Sequence, residues 1–268
     1  MVRIAVPTDL KGNANQIIEL AFLLAKEQEA QVTFIRVSKK KDEERQASFR
    51  SKILEVYRSK SFELLYEPKF YFGTGDKVEV ISNYVNQEAF DFVMLDGCSG
   101  IGKMKIFGSI LYDLLKHINV PMLFLPDEFE VKLPSELMFA SDLKDGDVQR
   151  VFHFYKAMSQ INPLIKMVHF SHDKDVVTDQ KMLDLYKEDI QSRFPYIRIE
   201  VVTRFIRKGE SLLDLIQQEE KDWTSLSTHS RTFAEKFLNP SLTLELLKDF
   251  KRPLFVFKDQ MEAQPMED

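Results

Sequence analysis

The sequence predicts an α/β protein built from two similar half-domains, each a mainly parallel five-stranded sheet with flanking helices. Three observations predict it. Short apolar runs alternate with amphipathic stretches, the pattern of parallel strands joined by crossover helices. The same order is then written a second time: VPTDLKG (6–12) is echoed by FASDLKDG (139–146), and LLKHINVPMLFLPDE (114–128) by LLKDFKRPLFVFKDQ (246–260). The spacing survives as well, since Asp9 to Asp142 is 133 residues and Pro121 to Pro253 is 132, so duplication is the economical account. Finally, 268 residues with 44% hydrophobic content, including 22 Phe and 10 Met, supply core material for two units of ordinary size.

The elements follow in order. RIAV (3–6) opens as a strand. From Asn15 to Gln28, Ile17, Ile18, Ala21, Leu24 and Ala25 fall at i, i+1, i+4, i+7 and i+8, an apolar stripe of helical period. QVTFIRV (31–37) is a buried second strand. The charged stretch KKKDEERQ leads into a longer helix carrying Phe49, Ile53, Val56 and Tyr57. LYEPKFYF (65–72) alternates as a third strand ended by Gly73 and Gly75, with Pro68 demoting it to an edge or a bulge. A helix with Val78, Ile81 and Val85 on one side precedes the strand FDFVML and a glycine-containing loop. Ser109 to His117 reads as a helix, and PMLFLP (121–126) closes the half.

After the polar connection DEFEVKLPSE, the second copy supplies IKMVHF (165–170), IEVVTRFI (199–206), WTSL (223–226) and PLFVFK (253–258) as strands. MLDLYKEDIQSRF and SLLDLIQQEEK supply helices. The expected domains are 1–128 and 135–260, with 261–268 a flexible tail lacking core residues.

Bulk properties exclude several classes. A net charge of −5 gives no general attraction to nucleic acid or to an anionic membrane. One cysteine, Cys98, allows no intrachain disulfide and suits a reducing compartment. No apolar run approaches the ~18 residues of a membrane span, and the N-terminus turns polar within ten residues, so a cytoplasmic protein is expected.

In an open parallel sheet, ligands sit beyond the carboxyl ends of the strands, where strand order reverses. Three segments qualify. Pro7-Thr8-Asp9, after the first strand, can contact a ligand hydroxyl or cap the next helix. Val37-Ser38, after the second, can touch a base or be an ordinary strand end. The loop DGCSGIGKMKIFGS (96–109) offers glycines for close backbone approach to an anion, with Gly108-Ser109 expected to open a helix whose positive end favours phosphate.

This order, from a strand with a PTD-type turn to an apolar strand running into a glycine loop and a G-S helix start, resembles the universal stress protein family over nearly the whole chain, twice. The resemblance implies a Rossmann-like fold of the adenine nucleotide alpha hydrolase type, packed as an internal pseudo-dimer through the last strand of each unit, and a possible homodimer. It implies a stress-response binding or signalling protein rather than an enzyme, weak ATP hydrolysis aside. In the nucleotide-binding branch the loop reads G-x₂-G-x₉-G-[ST]. By resemblance the ligand is ATP or AMP, with Mg²⁺ only if ATP is bound. Thr8 and Asp9, beside Pro7, would then lie near the ribose and Val37 near adenine, with Gly97, Gly100, Gly102, Gly108 and Ser109 near the phosphates.

Counted from its glycines the loop here reads G-x₂-G-x₇-G-S, two residues short of that pattern; counted from Asp91 and its strand, Asp96 and Ser99 take the first two glycine positions. In the second copy, LSTHSRTFAEKFLNPS (226–241) has Ser227, Ser230 and Pro240 where the glycines would stand; Pro240 has no N–H to donate. The second half is therefore expected not to hold a nucleotide in the family's manner. The alternative is a nucleotide-independent interaction protein or a binder of another small molecule.

Other chemistries are weaker. Gly97 to Lys103 spells most of a P-loop, but Met104 replaces the hydroxyl residue that would hold Mg²⁺. His169 and His172, with Asp173 and Asp175, suggest a metal cluster, yet strand alternation sends residues three apart to opposite faces. His117, His153 and His229 are isolated. Cys98 could be made reactive by a helix N-terminus. Trp223 reads most simply as core.

Overall fold

The computed structural model describes residues 1–96, 104–141, 143, 146–171, 176–207, 210, 212–219, 222–227 and 252–257. The chain divides into two compact units, the change falling between Leu133 and Pro134.

The first unit runs β1 (Arg3–Pro7), α1 (Ala14–Glu27), β2 (Gln31–Ser38), α2 (Glu43–Ser59), β3 (Lys69–Thr74), α3 (Lys77–Gln87), β4 (Phe92–Asp96), α4 (Met104–His117) and β5 (Met122–Leu125). Its strands lie in the order β3-β2-β1-β4-β5, and the pairs recorded between them are parallel. Strand order therefore reverses between β1 and β4. Right-handed crossovers place α1 with α2 and α3 with α4 on opposite faces, and each of those helix pairs is in contact. The central strands β1 and β4 are almost wholly apolar and buried, from Ile4 to Val6 and from Phe92 to Leu95, as strands covered on both faces must be. Phe22, Phe34 and Phe49 fill the α1/α2 side.

The second unit runs β6 (Glu136–Ser141), α5 (Gly146–Ala157), β7 (Leu164–Ser171), α6 (Val176–Arg193), β8 (Ile199–Phe205), α7 (Leu212–Gln218), β9 (Trp223–Ser227) and β10 (Leu254–Phe257). Its order is β8-β7-β6-β9-β10, the arrangement of the first unit repeated strand for strand. The repeat reaches the backbone of the first turn. Leu10 N donates to Thr8 Oγ1 at 3.1 Å and Leu143 N to Ser141 Oγ at 3.1 Å. Both leucines take left-handed φ values, 62° and 58°, a conformation costly for a non-glycine residue.

Two sequence expectations are corrected. The third strand begins after Pro68, not at Leu65, and Gly73 lies inside it, paired with Val37. Pro68, lacking an N–H, cannot join a ladder, whereas Gly73 is demanded by a close approach: a Cβ there would stand 2.2 Å from Val80 Cγ1 of α3. Strand β3 is an edge strand, as Pro68 suggested. The second correction is that α4 starts at Met104 rather than Ser109. Met-Lys-Ile-Phe are all adequate helix formers, and an interior Gly108 costs only about 1 kcal/mol. Helix α5 carries no separate signal in the sequence reading beyond its place in the repeat. Trp223 is core, 1% exposed and stacked on Phe255.

A half-buried ionic knot braces β7, β8 and the end of α7: Lys166 Nζ meets Glu219 Oε2 at 2.5 Å and Arg204 Nε meets Glu219 Oε1 at 3.0 Å. Burial alone would push the Glu219 carboxyl up, but the hydrogen bonds from Lys166 and Arg204 outweigh it and hold the group below the usual carboxylate range. A folded pKa below the unfolded one contributes stability that is present above about pH 4.3 and is lost as pH falls through the folded value. Urea melts of Glu219→Gln should show a loss on the order of 1–2 kcal/mol at pH 7. The difference from wild type should narrow below pH 4; a gap that stays constant down to pH 3 would refute the linkage.

Candidate functional site

Strand order reverses between β1 and β4, and a cleft lies at the carboxyl ends of β1, β2 and β4, walled in part by α3 and α4. Its walls are Pro7, Thr8 and Asp9 of the first turn, Ile35 and Val37 of β2, Leu95 and Asp96 of β4, Lys77 and Ile81 of α3, and Ile110, Leu111 and Leu114 of α4. The cleft is about 80 Å³. At roughly 15 Å³ per water this is room for about five waters, enough for one flat ring, so the rest of a larger ligand must lie across the open rim.

The first turn and Lys77 are placed by local hydrogen bonds. Thr8 N donates to Ile35 O at 3.0 Å, which carries the β1–β2 ladder one residue past the strand and draws the first turn against Val37. Thr8 Oγ1 is occupied by Leu10 N, so the turn is self-closed. Asp9 does not cap α1, whose N-cap is Asn13 with no side-chain capping bond. Instead its carboxylate stands 3.6 Å from Lys11 Nζ and 3.8 Å from Lys77 Nζ. Lys77 is placed by Asp76, whose carboxylate accepts from Val78 N and Glu79 N and so starts α3 at that point. The side chain of Asp9 is 27% exposed, open enough to accept from an incoming hydroxyl.

The structure thus brings together Pro7, Thr8, Asp9 and Val37, four residues singled out from sequence, at one cleft. Gly97, Gly100 and Gly102 lie outside the described residues, as do Cys98, His172, Asp173, Asp175 and His229. Gly108 and Ser109 do not open a helix. They sit in the second turn of α4, where in an α-helix the N–H of the fifth residue already bonds to the carbonyl of the first. The N–H groups that α4 leaves for an anion are those of its first four residues, 104–107. Lys77, Ile35, Leu95 and the α4 leucines were not singled out as site residues. A cleft wall drawn from α3 and α4 depends on the crossovers from β3 to β4 and from β4 to β5, which no local pattern announces.

In the second unit the corresponding turn is built differently. Ser141 Oγ donates to Asp147 Oδ2 at 2.6 Å, and Arg150 Nη1 bonds Asp147 Oδ1 at 2.9 Å. Asp147 is 0% and Arg150 5% exposed. His169 Nδ1 donates to Ser141 O at 2.9 Å, and its Nε2 lies 3.5 Å from Asp179. Phe170 follows Val168 by two as Val37 follows Ile35, so a larger ring occupies the position matching Val37. Among the described residues no group of three His, Cys, Asp or Glu is placed to hold a metal ion, and no helix is long and apolar enough to cross a membrane.

No protein-family model matches the chain, and no curated protein matches it. Solved structures do. A universal stress protein from Archaeoglobus fulgidus DSM 4304 superposes with a TM-score of 0.64 at 17% identity over 96% of both chains. A functionally unknown protein from Pseudomonas aeruginosa PAO1 gives 0.56 at 14% identity, over 96% of this chain and 92% of the other. The cytoplasmic domain of a prokaryotic cation chloride cotransporter gives 0.56 at 11% identity, over 95% and 94%. The chain therefore has the two-unit fold of universal stress proteins, a fold also found in a transporter's cytoplasmic domain.

Proposed function

We propose that this chain, folded as universal stress proteins are, is a cytoplasmic binding and signalling protein. Residues 1–128 form its ligand-bearing domain and 135–260 a second domain without an equivalent nucleotide site. The ligand is an adenine nucleotide, its base in the apolar cleft of Ile35, Val37, Ile81, Leu111 and Leu114 and its ribose hydroxyls against Asp9. The observation that carries this reading is the convergence of Pro7, Thr8, Asp9 and Val37 on one cleft at the point where strand order reverses. Its walls are mainly apolar, with the carboxylates of Asp9 and Asp96 and the ammonium of Lys77 as the charged groups, the make-up of a site for a flat heterocycle bearing hydroxyls.

Calorimetry on the full chain with adenosine, AMP and ATP tests it. Binding should be measurable, and Val37→Glu, which puts a carboxylate into the base subsite, should raise Kd at least tenfold, about 1.4 kcal/mol. Asp9→Asn should weaken binding by a few-fold. No heat with any of the three at millimolar concentration would remove the reading.

A second reading is favoured by one observation: α4 draws Gly108 and Ser109 into its hydrogen-bond ladder. A ligand with a ring but no phosphate suits that arrangement, and adenosine binding as tightly as ATP would support it.

A further inference from the structure

Strand β8 has β7 on one side and, among the described residues, no strand on the other. Arg198 O accepts from Ile165 N and Ile206 N donates to Ser171 O, so even-numbered residues of this segment turn their backbone groups toward β7. Ile199, Val201, Thr203 and Phe205 therefore turn theirs outward. Thr203 confirms it, since its N–H is taken by Gln180 Oε1 of α6 at 2.8 Å. Such an edge is a template for another strand.

The residues along it are self-complementary. In IEVVTRF (199–205), an antiparallel pairing with a second copy about a twofold axis through Val202 sets Val201 opposite Thr203 and Ile199 opposite Phe205. These are the outward-facing residues, so they make the hydrogen-bonded pairs. Glu200 then falls opposite Arg204 twice, in the closer non-hydrogen-bonded pairs where side chains meet. Glu200 is exposed, and Arg204, held through Nε by Glu219, keeps 48% of its side chain exposed. Two exposed apolar side chains lie by this edge: Phe205 on β8 itself, 42% exposed, and Val177 of α6, 65% exposed. Val177 lies three residues before Gln180, on the face of α6 that looks over the edge. The edge of the first unit is different, for β3 follows Pro68 and carries Lys69 as its single charge.

We propose that the chain self-associates through β8, two copies pairing antiparallel about Val202 with reciprocal Glu200–Arg204 contacts; Gln180 is the placeholder that gives up the Thr203 N–H. The contact is isologous, so it closes as a dimer rather than extending.

Sedimentation of the full chain tests this. Wild type should be dimeric at about 50 μM. Glu200→Arg and Arg204→Glu should each raise the dimer Kd at least about tenfold, because both cross-strand Glu200–Arg204 contacts become like-charge pairs. An equimolar mixture of the two variants should dimerise again, since it restores opposite charges at both contacts. Val201→Pro should give a monomer with unchanged circular dichroism, because its N–H faces away from β7 and an edge position tolerates proline. A monomeric wild type, a dimer indifferent to the single reversals and to Val201→Pro, or folded variants that fail to pair when mixed would each overturn the proposal.

Discussion

Replacing Asp147 by alanine should lower the unfolding free energy of the second unit by about 3–5 kcal/mol, the range seen when one member of a buried ion pair is removed. Asp147 is fully buried, accepts from Ser141 Oγ at 2.6 Å and pairs with Arg150 Nη1 at 2.9 Å. The alanine variant keeps the Arg150 guanidinium in the interior but removes its Asp147 partner. The charge then has less to offset its desolvation, which is why the cost exceeds that of a lost neutral hydrogen bond.

The first unit shows what the alternative looks like. The 133-residue offset that relates Asp9 to Asp142 places Ala14 at the position of Asp147 and Ile17 at that of Arg150, and these are 4% and 2% exposed. The same fold thus accommodates an apolar pair at this point. The double variant Asp147→Ala, Arg150→Ile should therefore recover to within about 1 kcal/mol of wild type. Trp223, the single tryptophan and a core residue of this unit, reports the transition in urea. A cost below about 1 kcal/mol for Asp147→Ala would show that the pair is not what holds the turn.

Substituting Gly73 by alanine should cost about 1–3 kcal/mol, the range for overfilling a packed interior, and should weaken ligand binding at the same time. The added Cβ meets Val80 Cγ1 at 2.2 Å and Tyr71 Cε1 at 3.3 Å. Valine is stiff at χ1, so the clash is relieved chiefly by moving α3 away from β3. That helix carries Lys77 and Ile81 into the cleft, so a shift of the helix propagates to the site. The relief variant Gly73→Ala, Val80→Ala should recover much of both losses, because the second change removes the atom that the first would strike. Thermal melts and calorimetry on the single and double variants separate the outcomes. An alanine variant as stable as wild type, or a double variant no better than the single one, would contradict this account of α3.

Much of the fold was legible before any coordinates. The stripe from Ile17 to Ala25 is the buried face of α1, and the short apolar runs RIAV and PMLFLP coincide with β1 and β5. Those patterns are local, and periodicity reports them directly. The Asp9–Asp142 and Pro121–Pro253 spacings anticipated the repeated strand order, because duplicated crossovers retrace the same path. What periodicity could not show was where a helix begins when its first turn precedes the glycine: α4 starts at Met104 because nothing in Met-Lys-Ile-Phe resists helix. Gly73 was read as a terminator, since glycine breaks strands more often than it serves a close approach.

The site divides along the same line. Pro7, Thr8, Asp9 and Val37 were singled out because each lies at or just beyond the carboxyl end of a strand, a position that sequence order alone defines. Lys77 was not, although it stands 3.8 Å from Asp9, and neither were Leu111 and Leu114. Their side chains reach the cleft only because the crossovers from β3 to β4 and from β4 to β5 fold α3 and α4 over one face of the sheet.

By itself, then, the sequence determined the repeat and the period of the strongly patterned elements such as α1, β1 and β5, since these are written in neighbouring residues. Tertiary structure alone decided which charges face one another: Lys77 on Asp9, Arg150 on Asp147, and Lys166 with Arg204 on Glu219. Asp9–Lys77 and Lys166–Glu219 join residues more than fifty positions apart, Arg204–Glu219 joins a strand to the end of α7, and Asp147–Arg150, one helical turn apart, depends on burial. Coulombic and desolvation energies depend on distance through space and on access to water, and neither is encoded in spacing along the chain.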